Sequence, residues 1–191
     1  MSKGRLEAFS DGVIAVIITI MVLELHAPRG ADIASLLPLG RSFVSYVLSF
    51  VFLGIYWNNH HHLMQASQKV NGPILWANLH LLFWLSLVPF VTAWMGENGF
   101  ASLPVALYGL DQLFAGVAYF ILVHALIAHH GQKSPLAAAI GNDLKGKISV
   151  VFYLTAIPFA FFAAWVSLGL YILVAVMWLI PDRRIEKVLT K

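Results

Sequence analysis

The chain has 191 residues, 60% apolar and 11% charged, with a net charge of +3 and no cysteine. A soluble domain carries about 25% charge, so an ordinary cytosolic globule, a disordered chain and a nucleic-acid binder are excluded. The missing thiols exclude disulfides and cysteine chemistry. The solvent is a bilayer, and a hydrocarbon core about 30 Å thick needs roughly 20 residues of helix. Six spans are predicted in one domain over 1–191: residues 5–27, 40–64, 73–95, 103–129, 147–165 and 168–181.

In the first span, residues 13–25 are apolar except at Thr19 and Glu24. Pro28, Arg29 and Gly30 stop it, and Ser10 or Asp11 is expected to cap its start. It is not expected to be a cleavable leader, because it carries Glu7, Asp11 and Glu24 and lacks an Ala-x-Ala site. A helix apolar all round sits inside a membrane protein or against lipid. Val16, Thr19 and Leu23 share one stripe with Ile20 beside it, and on residue types alone that stripe is a packing face. The second span ends in the polar shoulder Trp57, Asn58, Asn59, His60, His61, His62. Pro73 suits the first turn of the third, which Glu97, Asn98 and Gly99 break. Ser102 is expected to cap the fourth. Residues 131–145 form the longest polar linker. Pro158 is expected to kink the fifth span, with a reversal at 166–169 before the sixth.

Ten bases fall on the side of the termini: Lys3, Arg5, Lys69, Lys133, Lys145, Lys147, Arg183, Arg184, Lys187 and Lys191. Only Arg29 and Arg41 fall on the other. The positive-inside bias predicts that both termini are cytoplasmic. Within the spans, Asp111 is a functional candidate by default, and a structural pair with Arg41 is the favoured alternative. The eight histidines lack metal-ligand spacing. His80 and His124 lie at similar depths, which leaves a haem pair open, but interfacial or hydrogen-bonded histidine is favoured. Trp94, Trp178 and Tyr171 read as interface or lipid-facing aromatics.

Arg5, Phe9, Ser10 and Asp11 form Arg-x-x-x-Phe-Ser-Asp at the start of the first of six helices. Trp57 and His60 form Trp-x-x-His at the end of the second. Asn78 and Leu79 precede Pro89 by eleven and ten residues. Together these resemble the transmembrane protein 175 family, the endolysosomal potassium channels and their bacterial relatives. The match covers the first three spans, and the last three agree as a hydrophobic outline.

The resemblance implies an all-α integral membrane protein whose first helix lines a central pore. A chain with one six-helix unit would then need four copies, hence a cyclic homotetramer. It places Val16 at the position of the family's narrowest ring, Thr19 at a hydroxyl ring and Leu23 at a further apolar ring, with Ile20 as a liner and either Val16 or Leu23 as the tightest ring in this chain. It assigns Arg5, Phe9, Ser10, Asp11, Trp57, His60 and Asn78 to packing and gating of the pore helix, with Arg5, Asp11 and His60 meeting. Glu24 stands after Leu23, either at a negative outer mouth or paired with Arg29 or Arg41. The implied function is passive, potassium-selective conduction in a bacterial inner membrane. No enzyme activity, cofactor, tightly bound metal or nucleic-acid partner is expected; potassium ions and lipids are. The alternatives are a secondary transporter and a histidine-ligated haem or metal protein.

Overall fold

The structure, a computed structural model, describes residues 2–67, 69–131, 134–141 and 143–179. Lys133, Arg183, Arg184, Lys187, Lys191 and the end of the last expected span lie outside the described residues. Helix α1 is Lys3–Leu23. A 3-10 helix, Ile33–Leu39, runs into α2, Gly40–Gln65. Then come α3, Gly72–Glu97, α4, Ser102–His130, the short α5, Pro135–Ile140, and α6, Leu144–Leu179. Five of these segments are long and apolar enough to cross a membrane.

Local chemistry sets the helix ends. Asn71 caps α3 by accepting from the Ile74 amide at 3.1 Å, with Pro73 in the first turn as expected. Ser134 caps α5 through the Ala137 amide at 3.2 Å, so the polar linker holds a short helix. Asp32 caps the 3-10 helix, and its bonds from the Ser35 side chain and amide hold its carboxyl below the ordinary carboxylate range. Gly131 ends α4 with φ at 92°, a region that favours glycine. Two expected caps fall elsewhere. Helix α1 starts at Lys3 with Ser2 at its N-cap, which puts Ser10 and Asp11 two turns inside it. Helix α4 starts after Ala101, with no side-chain cap. Helix α1 also stops at Leu23 rather than residue 27.

Helix α6 does not run straight. Thirty-six residues would extend about 54 Å at 1.5 Å per residue. The backbone leaves helical geometry at Ala163 (φ −155°, ψ 81°), and the chain turns back on itself. Ser167 Oγ donates to the Ala156 carbonyl at 2.7 Å, and Trp178 Nε1 donates to Ser149 Oγ at 2.9 Å. The Tyr153 and Tyr171 rings lie 5.8 Å apart. Residues 144–162 and 164–179 are therefore two antiparallel arms of a hairpin. The break falls at Ala163, after the Pro158 of the expected kink and ahead of the expected reversal.

Two apolar clusters hold the molecule together. One joins α1 to α4 through Ile14, Ile17, Leu53, Leu81, Leu85, Ala115 and Leu122. The other joins α2, α3 and α4 to the hairpin through Phe52, Met95, Tyr108, Tyr153 and Val174. Helices α3 and α4 are central, with half of their most apolar windows buried against 28% for α1.

Candidate functional site

Helix α1 has two unlike faces. Leu6, Ser10, Ile14, Ile17 and Met21, spaced by three or four residues, form its buried stripe. Ser10 is a hydroxyl in that apolar stripe, and a buried hydroxyl needs partners. Its Oγ donates to the Leu6 carbonyl and accepts from Asn78 Nδ2, both at 2.9 Å. Asn78 Oδ1 in turn accepts from His60 Nε2 at 2.8 Å. Ser10, His60 and Asn78 are all fully buried, so one amide ties α1, α2 and α3. With Nε2 as donor, His60 Nδ1 is left as a buried, unpartnered acceptor.

Beside this network, Trp57 Nε1 donates to Asp11 Oδ1 at 3.1 Å. The Trp57 ring stacks on His61, whose Nδ1 lies 3.8 Å from Glu7 Oε1. Phe9 and Trp57 are about half exposed. The expected meeting of Arg5, Asp11 and His60 does not occur within one chain. Arg5 is exposed, Asp11 bonds Trp57, and His60 bonds Asn78. One helix end brought the three to a common height, but His60 faces α3 while Asp11 lies outside it.

The other face of α1 carries Val16 (55% exposed), Thr19, Ile20 (44%) and Leu23 (75%). Thr19 Oγ1 donates to the Val16 carbonyl at 2.8 Å, which leaves its oxygen lone pairs outward. A groove of about 890 Å³ runs between α1 and the later half of α3. Val16, Ile20 and Glu24 line one side, and Pro89, Phe90 and Glu97 the other. Glu24 is exposed and pairs with neither Arg29 nor Arg41. The Arg41 side chain lies against Gly99, where an added Cβ would meet its Nη1 at 2.5 Å.

That position also corrects the pairing expected for Asp111. Arg41 does not reach it, and both Asp111 carboxylate oxygens are buried without a hydrogen-bond partner. The haem pair finds no support: His80 Nε2 accepts from Trp84 at 3.0 Å, and His124 Nδ1 donates to the Phe120 carbonyl at 2.9 Å. Among the described residues, no group of three or more acidic or histidine side chains is placed to hold a metal ion. Tyr171, expected at the interface, is fully buried and donates to the Val105 carbonyl at 3.1 Å.

One polar relay escaped the sequence. Thr92 Oγ1 donates to Ser49 Oγ at 2.6 Å, and Ser49 Oγ donates to the Tyr108 hydroxyl at 3.1 Å, which joins α3, α2 and α4. Single Ser and Thr residues in apolar helices are its only signal. Such residues more often bond their own helix, as Ser149 does to the Lys145 carbonyl.

The sequence profile described as "Endosomal/lysosomal potassium channel TMEM175" matches residues 5–89. A potassium channel of Chryseobacterium sp. (strain P1-3) is 56% identical over 187 residues, 98% of this chain and 97% of its own. A potassium channel of Chamaesiphon minutus (strain ATCC 27169 / PCC 6605) is 29% identical over 185 residues, 91% of each chain. The crystal structure of a lysosomal potassium-selective channel TMEM175 homolog from Chamaesiphon minutus superposes with a TM-score of 0.81. It is 27% identical, and the match covers 94% of this chain and 97% of that one.

Proposed function

The chain belongs to the TMEM175 potassium-channel family, and from that premise we propose that it is a passive, potassium-selective channel assembled as a homotetramer. The observation that carries this is the two-faced first helix. Its buried face is fixed by the Ser10–Asn78–His60 network, while its other face, with Val16, Thr19, Ile20 and Leu23, is left open by its own chain. One helix cannot surround an ion, and cyclic symmetry brings four such faces together. Apolar rings at Val16 and Leu23 gate by dewetting, because a narrow apolar constriction gives water and ions no partners. Four Thr19 oxygens between them replace part of a hydration shell. Glu24 stands at the outer mouth. Arg5, exposed within its own chain, takes part at the junction between subunits.

Each arm of α6 crosses the bilayer, which makes six crossings in a single domain and puts both termini on the cytoplasmic side of a bacterial inner membrane. No cofactor is needed beyond the permeant ion. The test is potassium flux into liposomes holding the purified protein. Flux should follow the potassium gradient alone. Thr19→Ala should lower potassium preference over sodium, and Val16→Ala and Leu23→Ala should raise flux. Unchanged preference in Thr19→Ala would remove the hydroxyl ring, and strict coupling to protons or sodium would make the protein a transporter.

A further inference from the structure

The most demanding polar groups in the bundle lie off the pore helix. Asp111 is 4% exposed and Gln112 is fully buried. Neither oxygen of the one nor either amide atom of the other has a hydrogen-bond partner. Both sit inside a membrane-spanning helix, roughly 14 Å from its start at Ser102 by helical rise. An unpaired carboxylate in such a medium neutralises by taking a proton.

A route to the aqueous phase is present. A crevice of about 410 Å³ lies between α2, α4 and the hairpin. Asp143, Gly146 and Lys147 line it where α6 begins, and Tyr56, Leu113 and Tyr153 line it at mid-depth. The titratable groups near enough to feel the charge of Asp111 are phenols: Tyr56 from α2, Tyr108 from α4 and Tyr153 from α6. The titratable residues of α3, His80 and Glu97, are exposed. Tyr56 and Tyr153 thus both lie near Asp111 and line the crevice. A potassium or sodium ion needs several oxygens at once to replace its water, and one carboxyl beside one amide does not supply them. A proton needs only the carboxyl.

The geometry points to Asp111 as an intramembrane proton-binding site, loaded from the crevice through water and the hydroxyls of Tyr56 and Tyr153. The step balances without a co-reactant: one O–H bond breaks in hydronium, one forms at an Asp111 carboxylate oxygen, and water is left. Ionisation places a charge between α2, α4 and the hairpin, and protonation removes it.

The experiment is infrared difference spectroscopy of the full chain in lipid nanodiscs across a pH step. The wild type should show the carbonyl stretch of a neutral carboxylic acid that disappears at high pH, and Asp111→Asn should lack it. Asp111→Asn mimics the neutral acid, so its melting temperature should match the wild type at low pH and exceed it at high pH. Gly116→Leu and Val117→Trp fill the crevice; a Cβ on Gly116 would lie 3.8 Å from the Tyr56 hydroxyl. Both should slow the band's response to the pH step severalfold. A band that persists in Asp111→Asn, a wild type without one, or an Asp111→Asn protein that melts early at every pH overturns the site. An unslowed response in the plugged variants overturns the route.

Discussion

Asn78 holds two helices to a third with a single side chain. Its Nδ2 serves Ser10 and its Oδ1 serves His60, and none of the three is accessible to water. Asn78→Ala should therefore leave the His60 ring N–H without an acceptor, at about 1–3 kcal/mol, and remove the bond that the Ser10 hydroxyl accepts while its bond to the Leu6 carbonyl stays. Ser10→Ala removes one partner only and should cost less, and the two substitutions should be non-additive because they share a bond. Thermal unfolding of both single variants and the double variant in detergent checks this; additive losses would mean that the network is not one unit. The motif pattern identified Ser10, Asn78 and His60 as residues that matter, but it did not predict their bonds. Spacing along a helix gives the height of a side chain and its angle on its own helix. It does not say which neighbour that angle meets. Arg5 and Asp11 share an end without touching, and Asp111 was matched to Arg41 by height although Arg41 lies against Gly99.

Helices α2 and α3 approach closely at Gly96. A Cβ on Gly96 would lie 2.7 Å from the Ser42 backbone Cα and 2.4 Å from Ser45 Oγ. A hydroxyl can rotate away, but a backbone atom cannot, so Gly96→Ala should push α3 off α2 at about 1–3 kcal/mol. Gly4→Ala, with open space around its Cβ, is the control and should leave the melting temperature unchanged; an equal effect at both positions would sink the argument. At this scale the apolar runs located helices α1 to α4 to within a few residues, because long apolar runs of helical length leave little choice. The hairpin was harder to place. Proline marks where a hydrogen bond is lost, yet the chain turns at Ala163, where Ser167, Trp178 and Tyr171 on the returning arm find Ala156, Ser149 and Tyr153. That turn is a property of the packed pair, and no single residue announces it.

Within one chain, helix α1 is anchored by a buried hydrogen bond yet keeps one apolar face open. Helix α1 is tied at Ser10 to Asn78 of α3, and through Asn78 to His60 of α2, and still exposes Val16, Ile20 and Leu23. Lipid accepts such a face as readily as a pore does, so burial in one chain does not choose between them; the flux of the Val16, Thr19 and Leu23 variants does. In the proposed tetramer, Glu24 and Glu97, which line the same end of the α1–α3 groove, recur around the axis. Carboxylates gathered at a mouth raise the local cation concentration, and the effect depends on salt. The Debye length falls from about 30 Å at 0.01 M to about 3 Å at 1 M. Glu24→Gln should therefore lower single-channel potassium conductance at low ionic strength and leave it near the wild-type value in molar salt. Glu97→Gln should act in the same direction, and the double variant should show the largest loss. Recordings in planar bilayers over that salt range separate the outcomes. A loss that persists undiminished in molar salt would mean that Glu24 shapes the α1 helix end; no loss at any salt would place it away from the ion path.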